Sequence, residues 1–238
     1  MFTTPLVIAT LVAATVGAAI GFLTSRRATR PNIARLRNEL ADKIWQLTHD
    51  PLTGLHNRTG LRAIHTAIAA SVQHRQIVAV LIDLDLFKEV NDAYGHDAGD
   101  DLLKATAVRI GRLAALYGGQ AARLSGDEFA VIAPLDTTRL AHMALLFTSV
   151  IAESVEVRAD YGPITVTITA SLGIAVASST DLLEGVALHH ADMAMYHAKQ
   201  QGGNRYVFHR PGMTMPGHRP RRGPRLRDQR RHQNGGGA

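Results

Sequence analysis

A continuous apolar run that ends in acidic residues constrains the fold of this chain more than any other stretch. Residues 77–85 read Ile-Val-Ala-Val-Leu-Ile-Asp-Leu-Asp, and four of the seven apolar positions are β-branched. Such a run predicts a buried β-strand, with Asp83 and Asp85 where it ends. Hydrophobic residues make up 46% of the 238 positions, which is enough for a core around that strand.

A hairpin with two adjacent carboxylates is predicted further along the chain. The mostly apolar flanks 120–122 and 130–133 enclose Arg-Leu-Ser-Gly-Asp-Glu-Phe at 123–129. Ser-Gly is a turn dipeptide, so Asp127 and Glu128 lie at the hairpin tip. Taken alone, the pair is explained equally well by a solvated acidic turn and by a divalent metal bound to phosphates.

The other periodic segments indicate the fold class. Helices are predicted for residues 59–74, 98–116, 137–157 and 181–200, and further strands for 164–176 and 205–208. The order β-α-β-β-α-β with additional helices predicts an α/β (α+β) fold. In it, a mainly antiparallel sheet is covered by helices on one face.

The N-terminal segment predicts a membrane anchor. Residues 1–25 contain no charged side chain, and 5–23 form an apolar run of 19 residues, about the length of a spanning helix. Arginines follow from residue 26. The positive-inside rule then predicts a single-pass cell-membrane protein whose chain after Arg26 lies in the cytoplasm. A cleaved signal peptide is the alternative, although no basic region precedes the apolar run.

Two further segments flank the main body of the chain. Residues 26–48 predict a basic juxtamembrane segment and a helical stalk that pairs with a second copy or packs on its own domain. The tail, 210–238, is rich in Arg, Pro and Gly and is predicted to be disordered. It either contacts anionic membrane lipid or is a solvated extension.

The charge distribution and the lack of cysteine exclude several classes. The formal net charge is +6, but the tail alone contributes more than this, so the remaining body is close to neutral. A specific nucleic-acid partner is therefore not expected. Because the chain has no cysteine, disulfides and thiolate metal sites are excluded.

Acidic and polar residues at predicted element ends suggest a site for a metal-bound nucleotide. In an antiparallel sheet, a central strand's end and a neighbouring hairpin tip can lie side by side, so Asp83 and Asp127 are placed to share one or two Mg²⁺ ions. Lys88, at the following helix start, suits a polyphosphate. Asn91 can pair with a base edge, and Asp100 can accept from guanine N–H groups.

Six short motifs together carry a specific resemblance. They are DPLTGLHNR at 50–58, DLDLFKEVND at 83–92, GHDAGD at 95–100, RLSGDEF at 123–129, ASLG at 170–173 and ADMAMYHAK at 191–199. In this order they resemble the motifs of the GGDEF family, the diguanylate cyclases, over about residues 47–208, within a domain assigned to 49–209. The resemblance implies a nucleotidyl-cyclase or polymerase-palm sheet. It also implies a homodimer that condenses two GTP into cyclic di-GMP and pyrophosphate.

The resemblance assigns roles to individual residues. Asp83, Asp127 and the backbone carbonyl of Leu84 would bind Mg²⁺ or Mn²⁺. Glu128 would be the neighbouring catalytic acid, alongside Asp127. The implied substrate contacts are Asn91 and Asp100 to guanine, Lys88 and Lys199 to phosphates, and Phe87 and Gly126 beside the nucleotide.

Several positions depart from the family pattern. Ser125 replaces the first signature glycine, and serine would be strained there if the position required a positive φ. Gly203 replaces a phosphate-contacting arginine, which weakens triphosphate binding. Leu116 and Gly119 replace the Arg and Asp of the inhibitory product site, so no product inhibition through it is expected. The alternative function is a degenerate domain that binds GTP or a protein partner without catalysis.

Overall fold

The computed structural model describes residues 10–11, 13–18, 35–71 and 75–215. The helices labelled here are α1 (35–48), α2 (Arg58–Ala69), α3 (Phe87–Tyr94), α4 (His96–Leu116), α5 (Leu140–Ile151) and α6 (His189–Gln200). The strands are β1 (Gln76–Leu84), β2 (Gln120–Ser125), β3 (Glu128–Pro134), β4 (Val155–Ala159), β5 (Gly162–Val166), β6 (Ala170–Ser178) and β7 (Arg205–Phe208). A short π-helix, Leu183–Leu188, leads directly into α6.

Local sequence explains where the helices near the site begin. The side chain of Asn57 caps α2 by accepting a hydrogen bond from the N–H of Gly60 at 3.0 Å. Gly95 separates α3 from α4 with φ of +89°, in the left-handed region that favours glycine. The chain therefore turns sharply between these two helices, and both remain beside the end of β1.

The main sheet has five strands in the order β2-β3-β1-β6-β7. β1 pairs antiparallel with β3 and β6, and β3 pairs antiparallel with β2, whereas β7 lies parallel to β6. The sheet is thus mixed, with a single parallel pair at one edge. The predicted α/β fold with a helix-covered sheet is confirmed, and β1 is its central strand.

Helices cover both faces of this sheet, so the prediction of a single covered face is wrong. Alternate residues of β1, including Val78 and Val80, pack in the core cluster formed with α4 and α5. Their neighbours Ala79 and Leu81 pack in a second cluster, with α2 and α6. A continuous apolar strand has apolar side chains on both faces, and both must be removed from water.

Two predicted elements are also corrected. The helix expected over 137–157 ends at Ile151, and Val155–Ala159 instead pairs with Gly162–Val166 in a separate two-stranded sheet. The strand expected over 164–176 is interrupted at 167–169. Val155 and Val157 are buried against the core, so tertiary packing determines the strand conformation of this short segment.

The prediction of a single-pass membrane protein is contradicted. A spanning helix requires about 20 predominantly apolar residues. No helix within the described ranges combines that length with that apolar character, and α4, with 21 residues, carries several charged side chains. Of the proposed anchor at 1–25, only 10–11 and 13–18 are described. Residues 26–34 and most of the basic tail, from 216 onward, lie outside the described residues.

Candidate active site

Three acidic residues lie where β1 ends beside the β2–β3 turn. Asp83 on β1 pairs in register with Glu128 on β3, so the two side chains share one face of the sheet. Asp127 lies in the turn, and its carbonyl accepts a hydrogen bond from the N–H of Leu84 at 3.3 Å. The predicted proximity of strand end and hairpin tip is therefore seen in the fold.

The charges around Asp83 are partly balanced by one lysine. Asp83 is only 7% exposed. Burial raises its pKa, and the negative charges of Asp127 and Glu128 raise it further, against the opposing effect of Lys199. The Lys199 Nζ lies 2.7 Å from Asp83 Oδ2. Three carboxylates facing one ammonium group leave excess negative charge, which favours binding of an additional cation.

The backbone conformation of the β2–β3 turn shows whether serine is strained at position 125. Among the described residues, only Leu86 and Asn204 have a positive φ without being glycine, so Ser125 is not strained. Its hydroxyl donates a 2.8 Å hydrogen bond to Glu128 Oε2. Gly126 adopts φ of +45°, and no atom lies within 4 Å of the position that a Cβ would take. Serine thus fits the first position of the turn.

An arginine to which the sequence pattern assigned no role anchors this turn. The Arg123 Nε donates to the carbonyl of Gly126 at 2.8 Å, and its Nη1 lies 3.1 Å from Asp50 Oδ1. Burial alone would raise the pKa of Asp50. Hydrogen bonds from Thr53 and the contact with Arg123 outweigh burial and hold the pKa below 3.8. Both Asp50 and Arg123 lie within the motifs quoted above, which was the available signal.

Replacing Asp50 with asparagine is expected to lower the free energy of unfolding by about 1.5 kcal/mol at neutral pH, because charge-assisted hydrogen bonds are lost. The depressed folded-state pKa means that Asp50 stabilises the fold above pH 3.8 and that this contribution is lost as the pH falls through the lower value. In urea unfolding between pH 2 and 7, the free energy of unfolding of Asp50→Asn should therefore fall less at acid pH than that of the wild type. Asp42→Asn, an exposed change on α1, is the control, and an equal pH dependence in both variants would contradict the assignment.

A second group of predicted residues lies on α3 and α4. The side chain of Asn91 approaches Gly99 so closely that a Cβ there would lie 3.0 Å from its Cγ, with Phe87 Cζ at 3.2 Å. Asp100 follows Gly99 on α4 and is half-buried. Lys88 is not brought to the carboxylates, since its Nζ pairs with Asp92 Oδ2 at 2.6 Å on the exposed side of α3.

A cavity of about 420 Å³ opens beside Asp83. Its lining residues come from the end of β1, the entry to β6 and the end of α6; they are Asp83, Leu84, Asp85, Leu86, Thr169, Lys199, Gly202 and Gly203. Asp83, Leu84 and Lys199, which come from separate sequence motifs, therefore line one common cavity. Its size and its charged groups suit part of a nucleotide.

Glu128 lines a smaller cavity of about 240 Å³. Asp192 of α6 lines the same cavity, and its pKa is raised by burial and by the negative charge of Glu128. Arg58, also in the lining, lies 3.4 Å from Glu184. Residues of the first and last motifs thus line the same cavity as Glu128.

Comparison with known proteins identifies the family. The family described as diguanylate cyclase, GGDEF domain, matches residues 47–205. The chain belongs to the GGDEF family. Diguanylate cyclase TpbB of Pseudomonas aeruginosa is 41% identical over 177 residues, which are 71% of this chain and 39% of TpbB. This GGDEF chain therefore spans well under half the length of that relative.

Solved structures agree with the family assignment. The coiled coil and GGDEF domain of DgcB from Caulobacter crescentus, in complex with c-di-GMP, gives a TM-score of 0.67 at 29% identity, covering 78% of this chain and 98% of that structure. The GGDEF domain of TpbB gives a TM-score of 0.58 at 35% identity, covering 68% and 94%. The family predicted from the sequence is confirmed.

At two positions that depart from the GGDEF pattern, Gly119 and Gly203, the structure leaves little room for a side chain. A Cβ at Gly119 would lie 2.6 Å from the carbonyl oxygen of Ile132, so an aspartate does not fit there without a backbone shift. Gly203 adopts φ of +72°, and a Cβ there would lie 3.0 Å from the carboxylate of Asp85. Both positions are thus shaped for glycine in this chain.

Proposed function

We propose that this GGDEF domain condenses two GTP molecules into cyclic di-GMP and two pyrophosphates. The observation that carries the proposal is that Asp83, in contact with Lys199, lies beside Asp127 and Glu128 at the end of β1, next to a cavity of about 420 Å³. The naming of TpbB as a diguanylate cyclase and the c-di-GMP in the DgcB structure support the same reaction.

The proposed metal is Mg²⁺ or Mn²⁺. Among the described side chains, no three His, Asp or Glu groups are arranged as a ready metal site. The donors available are the hard oxygens that Mg²⁺ prefers, and substrate phosphates usually complete its coordination. Asp83, Asp127 and the Leu84 carbonyl would hold the ion, which stabilises charge on the reacting phosphate oxygens. Glu128 would bind or orient the attacking 3′-hydroxyl next to them.

The proposed guanine contacts lie on α3 and α4, and the proposed phosphate contacts are lysines. Asn91 on α3 would pair with a guanine edge, and Asp100 on α4 would accept from the guanine ring N–H and amino groups, beside Phe87. When GTP and metal bind, the Lys199 ammonium group would leave Asp83 and pair with a phosphate instead. Lys88 is exposed at the N-terminal turn of α3, and it would leave Asp92 to reach a phosphate. Gly126 leaves open space beside the nucleotide.

A second copy of the chain completes the proposed reaction, because each domain would hold one GTP. The apolar side chains of α1 are exposed, and those above half exposure are Leu36, Leu40, Ile44 and Leu47. Their spacing forms one stripe along the helix, which supports a parallel stalk with a second copy. The coiled coil next to the GGDEF domain of DgcB is consistent with this arrangement.

The test is to incubate the full chain with GTP and Mg²⁺ and to measure cyclic di-GMP and pyrophosphate by chromatography and mass spectrometry. The proposal expects both products in a ratio of one to two. The alternative, a GTP-binding module without turnover, is favoured by Gly203 in place of a phosphate-contacting arginine. It predicts GTP binding by calorimetry with no product, and that outcome would overturn the enzymatic assignment.

Replacing Gly99 with alanine is expected to raise the KM for GTP about tenfold, because the new methyl group displaces the Asn91 side chain and leaves guanine unpaired. Steady-state kinetics give KM and kcat separately. Gly111→Ala, on the same helix, is the matched control, since its Cβ would meet only the flexible end of Leu55 at 3.3 Å. Equal KM values for the two variants would contradict the role given to Asn91.

Cyclic di-GMP is not expected to inhibit the enzyme through the Leu116 and Gly119 positions. Leu116 is an exposed apolar residue and Gly119 lacks room for a carboxylate, so the charged groups that would hold the product are missing there. Initial rates should change by less than about twofold when cyclic di-GMP is added at concentrations well above the KM for GTP. Strong inhibition that Leu116→Ala relieves would contradict this prediction.

A further inference from the structure

Asp85 is the acidic residue at the end of β1 to which the proposed reaction gives no role. Its carboxylate accepts three hydrogen bonds: from the Thr169 hydroxyl at 2.7 Å, the Ser171 hydroxyl at 2.7 Å and the N–H of Asn204 at 2.8 Å. Its own N–H donates to the carbonyl of Thr169 at 2.8 Å. These bonds occupy three of the roughly four acceptor positions of the Asp85 carboxylate. Asp83 differs, because its side chain pairs with Lys199.

One of these donors belongs to the turn that follows α6. Gly202, Gly203 and Asn204 have φ angles of +103°, +72° and +49°. The turn runs so close to Asp85 that a Cβ at Gly203 would lie 3.0 Å from all three carboxylate atoms. Asn204 holds a left-handed backbone at a conformational cost, and its hydrogen bond to Asp85 offsets that cost.

The same turn is bonded to the helix end that carries Lys199. The N–H of Gly202 donates to the carbonyl of Lys199 at 3.1 Å, and the N–H of Gly203 donates to the carbonyl of Ala198 at 3.1 Å. Lys199, the turn and Asp85 are therefore one hydrogen-bonded unit. A displacement of the turn from Asp85 would move the backbone from which the Lys199 side chain extends.

We propose that Asp85 is a positioning residue, which holds the 202–204 turn and thereby directs Lys199 toward the phosphates of GTP. The inference rests on the proposed function. Asp85, Lys199, Gly202 and Gly203 all line the cavity of about 420 Å³ beside Asp83. Since three donors face Asp85, its negative charge is compensated where phosphates would bind.

The first test replaces Asp85 with asparagine in the full chain. The amide keeps a single acceptor oxygen and turns N–H donors toward the existing donors, so the turn is released. The KM for GTP is expected to rise about tenfold, with a smaller change in kcat. Backbone amide exchange over 199–204 should become faster. Asp136→Asn, an exposed carboxylate beyond β3, removes the same charge elsewhere and should change neither quantity.

A double-mutant cycle separates positioning from a merely structural role. If Asp85 acts through Lys199, Asp85→Asn should change KM by less than about twofold in the Lys199→Met background, so that the two effects are not additive. The same factor in both backgrounds would show that Asp85 only stabilises the fold, and would overturn the inference. The midpoint of urea unfolding is recorded for each variant to account for lost stability.

The outcomes also distinguish this inference from the proposed function. A wild-type chain that forms no cyclic di-GMP contradicts the proposed function. In that case, amide exchange over 199–204 and calorimetric GTP affinity of Asp85→Asn still decide whether Asp85 holds the turn. An active wild type with unchanged exchange and unchanged KM in Asp85→Asn overturns the inference alone.

Discussion

Replacing Asp127 with alanine is expected to abolish cyclic di-GMP formation, with a loss of at least about a hundredfold in rate. A metal ion that stabilises the reacting phosphates contributes several kcal/mol to the transition state, and each 1.36 kcal/mol is tenfold in rate. The fold should remain intact, because the backbone of Asp127, not its side chain, bonds to Leu84. Product is measured by mass spectrometry, and folding by circular dichroism and urea unfolding.

The same variant has a direct electrostatic readout. The charge of Asp127 raises the pKa of Asp83, so removing it should shift the titration of Asp83 to lower pH, which carboxyl ¹³C chemical shifts can follow. Glu156→Ala removes an exposed carboxylate on β4 and is the control for both measurements. Retained product formation in Asp127→Ala would overturn the metal assignment, and an unchanged Asp83 titration would contradict the proximity of the two acids.

The central part of the fold was predictable because its signals are local. A continuous apolar run rich in β-branched residues predicts a buried strand, and Ser-Gly between apolar runs predicts a tight turn, so β1 and the β2–β3 hairpin could be inferred from the sequence. The hairpin β4–β5 could not be predicted in the same way. Its five-residue strands form away from the main sheet, and Arg158 on β4 pairs with Asp101 on α4, a contact between residues distant in the chain.

In the candidate site, too, some features could be predicted from local sequence and others depend on contacts between distant parts of the chain. That Asp83 and the hairpin acids would be close follows from antiparallel pairing, and the register of Asp83 with Glu128 bears this out. The contact of Lys199 with Asp83 depends on how α6 packs across the sheet, which no local pattern indicates. The anchoring of the turn by Arg123 and Asp50 likewise joins two motifs that are distant in sequence.

That packing of α6 leads to the largest stability effect expected in this chain, at Gly173 of β6. A Cβ at Gly173 would lie 2.8 Å from the Cα of Met195 and closer still to the carbonyl oxygen of Ala191, and both are backbone atoms of α6. Gly173 pairs with Leu81 on one side and Val207 on the other, so β6 cannot move away either. Gly173→Ala should therefore lower the free energy of unfolding by about 3 kcal/mol.

Gly173→Ala should also affect the candidate active site, because α6, the helix that must move, carries Lys199. Gly173→Ala is expected to weaken GTP binding in the fraction that remains folded, since Nζ can no longer stay 2.7 Å from Asp83. Gly185→Ala, whose nearest neighbours would lie at 3.6 Å, should change stability by less than about 0.5 kcal/mol. Urea unfolding compares the two variants. Similar midpoints would mean that β6 and α6 can separate at little cost, and the position of Lys199 would then have to be set by the turn at Asp85 alone.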